Sequence, residues 1–595
     1  MEIRIMCGIF TILNNDSRFH QDEITANFSK GVSRGPDNSV LHEELLQFIL
    51  GFHRLSINGL DEISNQPIQI DNILLICNGE IYNHRELRES ENITPTTNSD
   101  CEIIIHLYCK YGIEQCLRLL DGVFAFILVD LSTIVTPKII IARDPFGVRP
   151  LYQITTPTTK AGLDDFCAFS SEAKTLSYFH QKLSKDYTLS HFSPGHYAIY
   201  NLDNRDENNS NNPNNHWELS TMKRYHTTGF HSILNDVNPI TKNLELVHNN
   251  IRYFLSNAVY KRCSNSDRSV GCLLSGGLDS SLVSALANDY CLKRGMKPIR
   301  TFAIGIKDSN DLLMARQVAK HIKSNHTEVI ITEKDFVDNI ENVIHAIESY
   351  DTTTVRASIG NYLVGKYIRE NTDIKVVLNG DGSDELCGGY LYMHQAPSNM
   401  AFDHEIHNLL DEIHAFDVLR SDKCISSHGL EPRTPFLDRE WVQFYLSLPI
   451  HLRNHQNGLR MEKYLLRKSF EKSGLLPEHV LWRSKEAFSD GVSLQQRSLY
   501  EIIQDHVETI DFQYQETPHS FLPSTREQKY YKYLFDKYYP NCEGLIPRYW
   551  MPRFIEATDS SARTLSIYNK ISNEVVTDCG ACDACDACDK SDKCE

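Results

Sequence analysis

The stretch that most constrains this chain is Leu273-Leu274-Ser275-Gly276-Gly277-Leu278-Asp279-Ser280-Ser281. The apolar run Val270 to Leu274 predicts a buried strand, and Leu282, Val283, Ala285, Leu286 and Ala287 open a helical apolar pattern after it. A strand, a glycine turn and a helix start present backbone N–H groups and a positive dipole end to phosphate. Gly276 and Gly277 admit a close backbone approach to a ligand, and Ser275, Ser280 and Ser281 add hydroxyl donors. Asp279 is anomalous in such a nest, because a carboxylate repels phosphate. A divalent cation such as Mg²⁺ removes the conflict by bridging the two. An ordinary strand-to-helix turn is the plainer reading of a Gly-Gly pair alone.

SGGLDSS resembles the pyrophosphate loop of the ATP pyrophosphatases, which split ATP into AMP and pyrophosphate. It is not a Walker loop, since no Lys-Ser/Thr pair follows the glycines.

At 595 residues the chain is too long for one core, so two or more domains are expected. A net charge of −18 argues against nucleic acid or an anionic membrane as a main partner. No apolar run is long enough to span a bilayer, and residues 1–10 are too short and polar for a signal peptide. The 17 cysteines are scattered apart from a terminal cluster, which predicts free thiols in a reducing cytoplasm.

Cys7, read alone, is one buried thiol in an apolar strand. Four segments follow it in order: Arg34-Gly35-Pro36-Asp37, Arg54-Leu55-Ser56-Ile57-Asn58, Asn78-Gly79-Glu80-Ile81-Tyr82-Asn83-His84 and Ser99-Asp100-Cys101-Glu102. Together they resemble the glutamine-hydrolysing domain of class II amidotransferases, whose nucleophile is an N-terminal cysteine. The chemistry needs a thiol to attack the glutamine amide, a base for its proton, and donors for the oxyanion. The resemblance implies that the base is the α-amine of the same cysteine, which titrates near pKa ~8. It implies oxyanion donors at the Asn78 side chain and the Gly79 backbone N–H. Arg54 and Asp100 would grip glutamine, with Leu55, Ser56, Ile57, Asn58 and Glu80 around it. Without the neighbouring motifs, Arg54 and Asp100 read as a surface ion pair. Cys7 has no free α-amine while Met1 to Met6 are attached, so the expectation is that Met6 is the initiator and is trimmed.

Residues 117–200 read as alternating strands and turns. Arg143-Asp144-Pro145-Phe146-Gly147-Val148-Arg149 and Ser170-Ser171-Glu172-Ala173-Lys174 also resemble the family, in turns and domain contacts. Residues 204–216 are an Asn-rich insertion with almost nothing to bury, expected to be a hairpin loop. From about residue 245, strand-like runs at Thr301–Ile306, Thr327–Ile331 and Lys375–Leu378 alternate with helical patterns. That order predicts a doubly wound parallel sheet with ligands at the strands' carboxyl ends. Leu273 and Ile304 lie near two such ends and, by resemblance, flank adenine.

Asn379-Gly380-Asp381-Gly382-Ser383-Asp384-Glu385 follows another strand. It resembles a segment of the asparagine synthetases, which usually carry Ser first and Glu third. The third residue there assists acyl-adenylate chemistry, so Asp381 is a candidate catalytic carboxylate whose reach is shorter by about 1.5 Å, one C–C bond. Asn379 and Gly380 are candidate ATP contacts, and Asp279 and Asp384 are candidate Mg²⁺ ligands. Arg356, in a matching segment from Glu348 to Ser358, is the candidate to bind the carboxylate of aspartate. Lys485, in Ser484 to Gly491, would neutralise departing pyrophosphate, and reads equally well as a solvated lysine.

At the end, Cys579, Cys582, Cys585 and Cys588 stand at C-x-x-C steps. Paired knuckles and ferredoxin runs use other spacings, so a disordered, low-complexity tail is the expectation over a metal site. The resemblance over residues 7 to about 555 is to glutamine-hydrolysing asparagine synthetases. It implies two α/β domains, a layered glutaminase with antiparallel sheets over 7–225 and an ATP-binding domain over 226–558, preceded by an extension (1–6) and followed by the tail (559–595). The implied substrates are L-glutamine, L-aspartate and ATP, with Mg²⁺, and a homodimer is left open. A β-lactam-synthetase-like cyclase is the nearest enzyme alternative, and retained Cys7, Asn78 and Asp100 count against it. A non-catalytic regulatory relative is the alternative of another class.

Overall fold

A computed structural model of the chain describes residues 7–35, 37–44, 47–133, 136–156, 166–204, 215–229, 243–455, 459–486, 488–494, 496–514 and 522–561. The extension 1–6, most of the Asn-rich insertion and the Cys-rich tail from residue 562 on lie outside the described residues.

The first half holds two six-stranded antiparallel sheets. One runs, in spatial order, Thr188–His191, Tyr152–Thr155, Cys167–Ser170, Gly8–Leu13, Phe48–Arg54, Asn38–Glu44. The other runs Asn215–Arg224, His196–Asn204, Lys138–Arg143, Gly122–Asp130, Ile73–Ile81, Ile68–Ile70. Strand side chains alternate between faces, and here the alternation sorts them into layers. Ile9, Leu13, Leu50 and Phe52 of the first sheet share a core with Ile76, Ile127, Val129 and Ile141 of the second. Their neighbours in sequence face outward: Phe10 and Ile12 pack with residues of the helices Gln21–Phe28 and Ala173–Lys182. Leu75, Phe126 and Leu128 pack with residues of the helix Ile103–Leu119. The result is a helix–sheet–sheet–helix sandwich, the expected layered arrangement.

The second half is built on a five-stranded parallel sheet in the order Asn325–Ile331, Arg300–Ile306, Val270–Leu273, Val376–Leu378, Glu431–Arg433. Numbered along the chain this order is 3-2-1-4-5, which places a topological switch point between Val270–Leu273 and Val376–Leu378. The last strand was not expected, because Glu431-Pro432-Arg433 is short and holds a proline. Proline lacks the ladder N–H and is tolerated at a sheet edge, which is where this strand lies. Among the described residues no helix is long and apolar enough to cross a membrane, and the described cysteines are free thiols.

The two halves meet through buried charge as well as apolar surface. Arg149 pairs with Asp422 and Glu431 at 3.1 Å each, and Glu80 pairs with Arg433 at 3.2 Å. Arg143 spends its donors on the carbonyl oxygens of Gly147, Arg149 and Phe192, so this turn is held locally and presents Arg149 to the second half.

Candidate functional site

The thiol centre begins one residue before the strand Gly8–Leu13. Cys7 Sγ accepts a hydrogen bond from the Leu55 amide at 3.3 Å and donates to the Leu55 carbonyl at 3.4 Å. Its own backbone carbonyl accepts from Arg34 Nε at 2.9 Å. Burial pushes the thiol up to about 12, against the opposing pull of the Leu55 hydrogen bond and the Arg54 charge. The sulfur is therefore held as a neutral thiol, and a base must remove its proton before it can attack.

Asn78, Gly79 and Glu80 are consecutive on the strand Ile73–Ile81. Asn78 Nδ2 donates to Ser171 Oγ at 3.2 Å, and that hydroxyl also accepts from the Ile9 amide at 3.1 Å. Asn78 Oδ1 is buried and has no hydrogen-bond partner among the described residues, a group that a donor on a ligand would satisfy. Glu80 accepts from Asn58 at 2.5 Å and Asn265 at 2.9 Å, and burial, Asp100 and Glu431 all push its carboxyl up. Asp100 accepts from the Ile81 amide at 2.6 Å. Leu55 to Asn58 follow the strand Phe48–Arg54 and lean on the second half: Arg268 donates to the Ser56 carbonyl at 2.9 Å. Arg54 is engaged by its own loop, donating to Gly59, to Asp61 at 3.1 Å and to Asn65 at 2.5 Å.

The second centre is a cavity of about 260 Å³ at the carboxyl ends of the parallel strands. Leu273, Ser275, Gly277, Asp279, Ser280, Ile304, Asn379, Gly380, Asp381, Asp384 and Lys485 all line it. The sequence places them in segments over 200 residues apart, and the switch point brings the segments together. Gly276 has φ +76°, in the left-handed region, and its carbonyl accepts from Arg483 at 3.1 Å. A Cβ on Gly380 would stand 2.8 Å from Asp279 Cβ and Ser280 N, so only glycine lets the two loops touch.

At that contact Asp279 accepts from Ser383 Oγ at 2.7 Å. The buried Lys463 ammonium lies 2.7 Å from Asp279 and 2.6 Å from Asp384, whose other oxygen meets Lys485. Burial alone would push Asp384 up, yet the two ammonium groups outweigh it and hold its carboxyl below the usual range. Asp381 is pushed up to about 6 by burial, with Arg420 pulling it down and Asp417 adding to the rise. It accepts from Asn379 Nδ2 at 2.6 Å and from Arg420 at 3.3 Å. The Asn379 amide thus bonds the shortened acid two residues on, which couples the two departures from the usual segment.

Arg356 requires a correction. Thr353, Thr354 and Ala357 of its helix line the cavity, but its guanidinium turns away. It is taken up by Glu527 at 2.9 and 2.6 Å and by Asp559 at 2.7 and 2.9 Å, over the Tyr500 ring. Both forks are filled from the far end of the chain, so it ties the C-terminal segment to the helix Thr352–Asn371 instead of gripping a ligand. Sequence reasoning also missed Lys463, Arg420, Asp417 and Arg483, all of which line the cavity. No motif or periodicity marks any of them; a lone Glu-Lys pair at 462–463 inside an apolar pattern is the faintest of signals.

The family described as asparagine synthase matches residues 250–405 and 397–544, and the glutamine amidotransferase domain family matches residues 6–202. The asparagine synthetase (glutamine-hydrolyzing) of Gallus gallus is 43% identical over 584 residues, covering 96% of this chain and 100% of that protein. The protein of the same description from Homo sapiens is 42% identical over 581 residues, covering 95% and 99%.

Proposed function

This chain belongs to the asparagine synthase family and carries a glutamine amidotransferase domain in front, and from that premise we propose that it amidates L-aspartate to L-asparagine with nitrogen from L-glutamine and energy from ATP. The observation that carries the reading is the pairing, on one chain, of a half-buried thiol, Cys7, two residues before the Ile9 amide that shares the Ser171 hydroxyl with Asn78, and a nucleotide cavity at the switch point of a parallel sheet.

In the first half, the Cys7 thiolate attacks the amide carbon of glutamine, ammonia leaves, and water hydrolyses the thioester to glutamate. The α-amine of Cys7 takes the thiol proton once the six preceding residues are removed; an intact mass beginning at Cys7 in active protein supports this, and an intact Met1 refutes it. Asn78 and the Gly79 N–H stabilise the oxyanion, and Arg54, Glu80, Asp100 and the Leu55 to Asn58 loop seat glutamine, Arg54 by exchanging its loop carbonyls for the substrate.

In the second half, the β-carboxylate of aspartate attacks the α-phosphorus of ATP and pyrophosphate leaves. Ammonia then displaces AMP from the β-aspartyl-adenylate. Ser275, Gly276, Gly277, Ser280, Asn379 and Gly380 hold the phosphates, Leu273 and Ile304 flank adenine, and Lys463 and Lys485 take the charge of the departing pyrophosphate. Arg420, inside the cavity, replaces Arg356 as the group that meets aspartate's carboxylate, and Asp381 assists the acyl step. Asp279 and Asp384 are hard oxygen donors already drawn to one cation, Lys463, and this fits Mg²⁺ held by one or two carboxylates plus phosphate. When bound, the metal would neutralise phosphate charge. The domain division falls at 225/226, the setting is cytoplasmic, and a homodimer is the assembly to test by light scattering.

The test combines aspartate, MgATP and either glutamine or ammonium, with AMP and asparagine quantified together. Equal amounts of AMP and asparagine from both nitrogen sources support the reading. ADP in place of AMP, or AMP without asparagine, refutes it.

A further inference from the structure

One helix, Asp417–Ser426, touches both centres. Toward the nucleotide cavity it sends Arg420 to Asp381 at 3.3 Å, while Ser421 Oγ accepts from Asn379 at 2.6 Å. The next two residues reach the thiol half instead. Asp422 Oδ1 accepts from Arg34 NH1 at 2.7 Å, and the same guanidinium donates through Nε to the Cys7 carbonyl at 2.9 Å. Ser426 Oγ accepts from Arg34 as well, at 3.1 Å. Lys423 Nζ donates to the Ser171 carbonyl at 3.1 Å, and Ser171 Oγ is the acceptor for Asn78 Nδ2. Arg34, Ser171, Asp422 and Lys423 are each exposed by 1% or less. In such surroundings charged hydrogen bonds are short, directional and not replaced by water.

The nucleophile's backbone and the oxyanion donor are therefore both set by side chains that come from the synthetase half. We propose that Asp422 and Lys423 are positioning residues for glutamine hydrolysis: Asp422 fixes Cys7 through Arg34, and Lys423 fixes Asn78 through Ser171. Neither touches a reacting atom. The proposal rests on the reading of the thiol centre given above and adds that this centre is complete only when the helix beneath it is seated. Ammonia is then released only where the half that consumes it is in place. Displacing an attacking group by about 1 Å costs about a hundredfold in rate, so small shifts at Arg34 or Ser171 suffice.

The test uses the full-length enzyme carrying Asp422→Asn, Lys423→Gln or Lys423→Arg. Asp422→Asn leaves Arg34 its second carboxylate, Glu172 at 2.8 Å, so the guanidinium is not stranded. For Asp422→Asn and Lys423→Gln the expected result is a fall of about tenfold or more in kcat for glutamine hydrolysis. The KM for glutamine and the ammonium-dependent synthesis rate stay within about threefold, and Lys423→Arg restores hydrolysis because it keeps the donor and the charge. Hydrolysis unchanged in both variants overturns the proposal. So does a parallel fall of both activities, or a change in KM alone. If Asp422→Asn does not fold, the contrast between Lys423→Gln and Lys423→Arg decides. Absence of glutamine hydrolysis by the unsubstituted enzyme, with ammonium-dependent synthesis present, refutes the thiol reading itself and this inference with it.

Discussion

Gly276→Ala tests the geometry of the nucleotide centre most directly. The added Cβ would lie 2.4 Å from Met314 Cβ and 2.5 Å from the Ala315 backbone nitrogen, both on the helix Asn310–Ile322. Ordinary carbon contact begins near ~3.5 Å, so loop and helix must separate by about 1 Å. Neither obstacle is a free side-chain end that can swing aside. Placing alanine at φ +76° costs a further ~1–2 kcal/mol, and overpacking of this kind costs ~1–3 kcal/mol. The sum, ~2–5 kcal/mol, reaches only the lower end of the ~5–15 kcal/mol stability of a typical protein, so the variant is expected to fold with a lowered thermal midpoint. Moving the loop by that distance is expected to lower kcat/KM for ATP by about a hundredfold in ammonium-dependent synthesis. Glutamine hydrolysis, on the far side of the molecule's charge network, stays within about threefold. The assay is AMP release with ammonium in parallel with glutamate release from glutamine, with thermal unfolding as a control. A folded Gly276→Ala enzyme with unaltered kcat/KM for ATP would falsify the claim that the close seating of this turn on the helix Asn310–Ile322 positions the nucleotide centre.

Three more outcomes are expected. With free ammonia held constant, the synthesis rate should fall about tenfold per pH unit below about 6, where Asp381 takes up its proton, and Asp381→Asn should abolish that inflection. The same raised value means the buried carboxyl favours the folded state while neutral, a contribution present near pH 4 and lost as pH rises through about 6. Because Asn379 and Asp381 are bonded, Asn379→Ser and Asp381→Glu should each slow synthesis while the double variant recovers, giving a coupling of ~1 kcal/mol or more; additive losses would show the pair to be independent. Arg356→Met strands two carboxylates, one of them 1% exposed. It should cost ~3–5 kcal/mol in denaturant unfolding with the KM for aspartate unchanged, and the reverse pattern would return Arg356 to the substrate.

Some of this was written locally in the chain. The strand, glycine turn and helix of 270–287, the acids after Val376–Leu378, and the ordered motifs behind Cys7 are short-range patterns. Each depends on residues a few positions apart, which is the scale at which turns, caps and strand alternation act. They carried the two α/β halves and the two loops, from Ser275 to Ser280 and from Asn379 to Asp384, that meet in the nucleotide cavity, but not Lys463, Arg420, Asp417 or Arg483 beside them.

What tertiary structure alone decided are the partners of charged groups. Lys463 meets Asp279 across 184 positions, Arg356 meets Asp559 across 203, and Arg34 meets Asp422 across 388. A lysine or arginine has the same local signature whether it faces water, a ligand or a buried acid. Its partner is fixed only when strand order and helix packing bring distant segments within ~4 Å, where the loss of water makes one pairing prevail. That is why the sequence pointed to Arg356 for aspartate and passed over Lys463 and Arg420, while the folded chain assigned the first to its own C-terminal segment and the other two to the cavity.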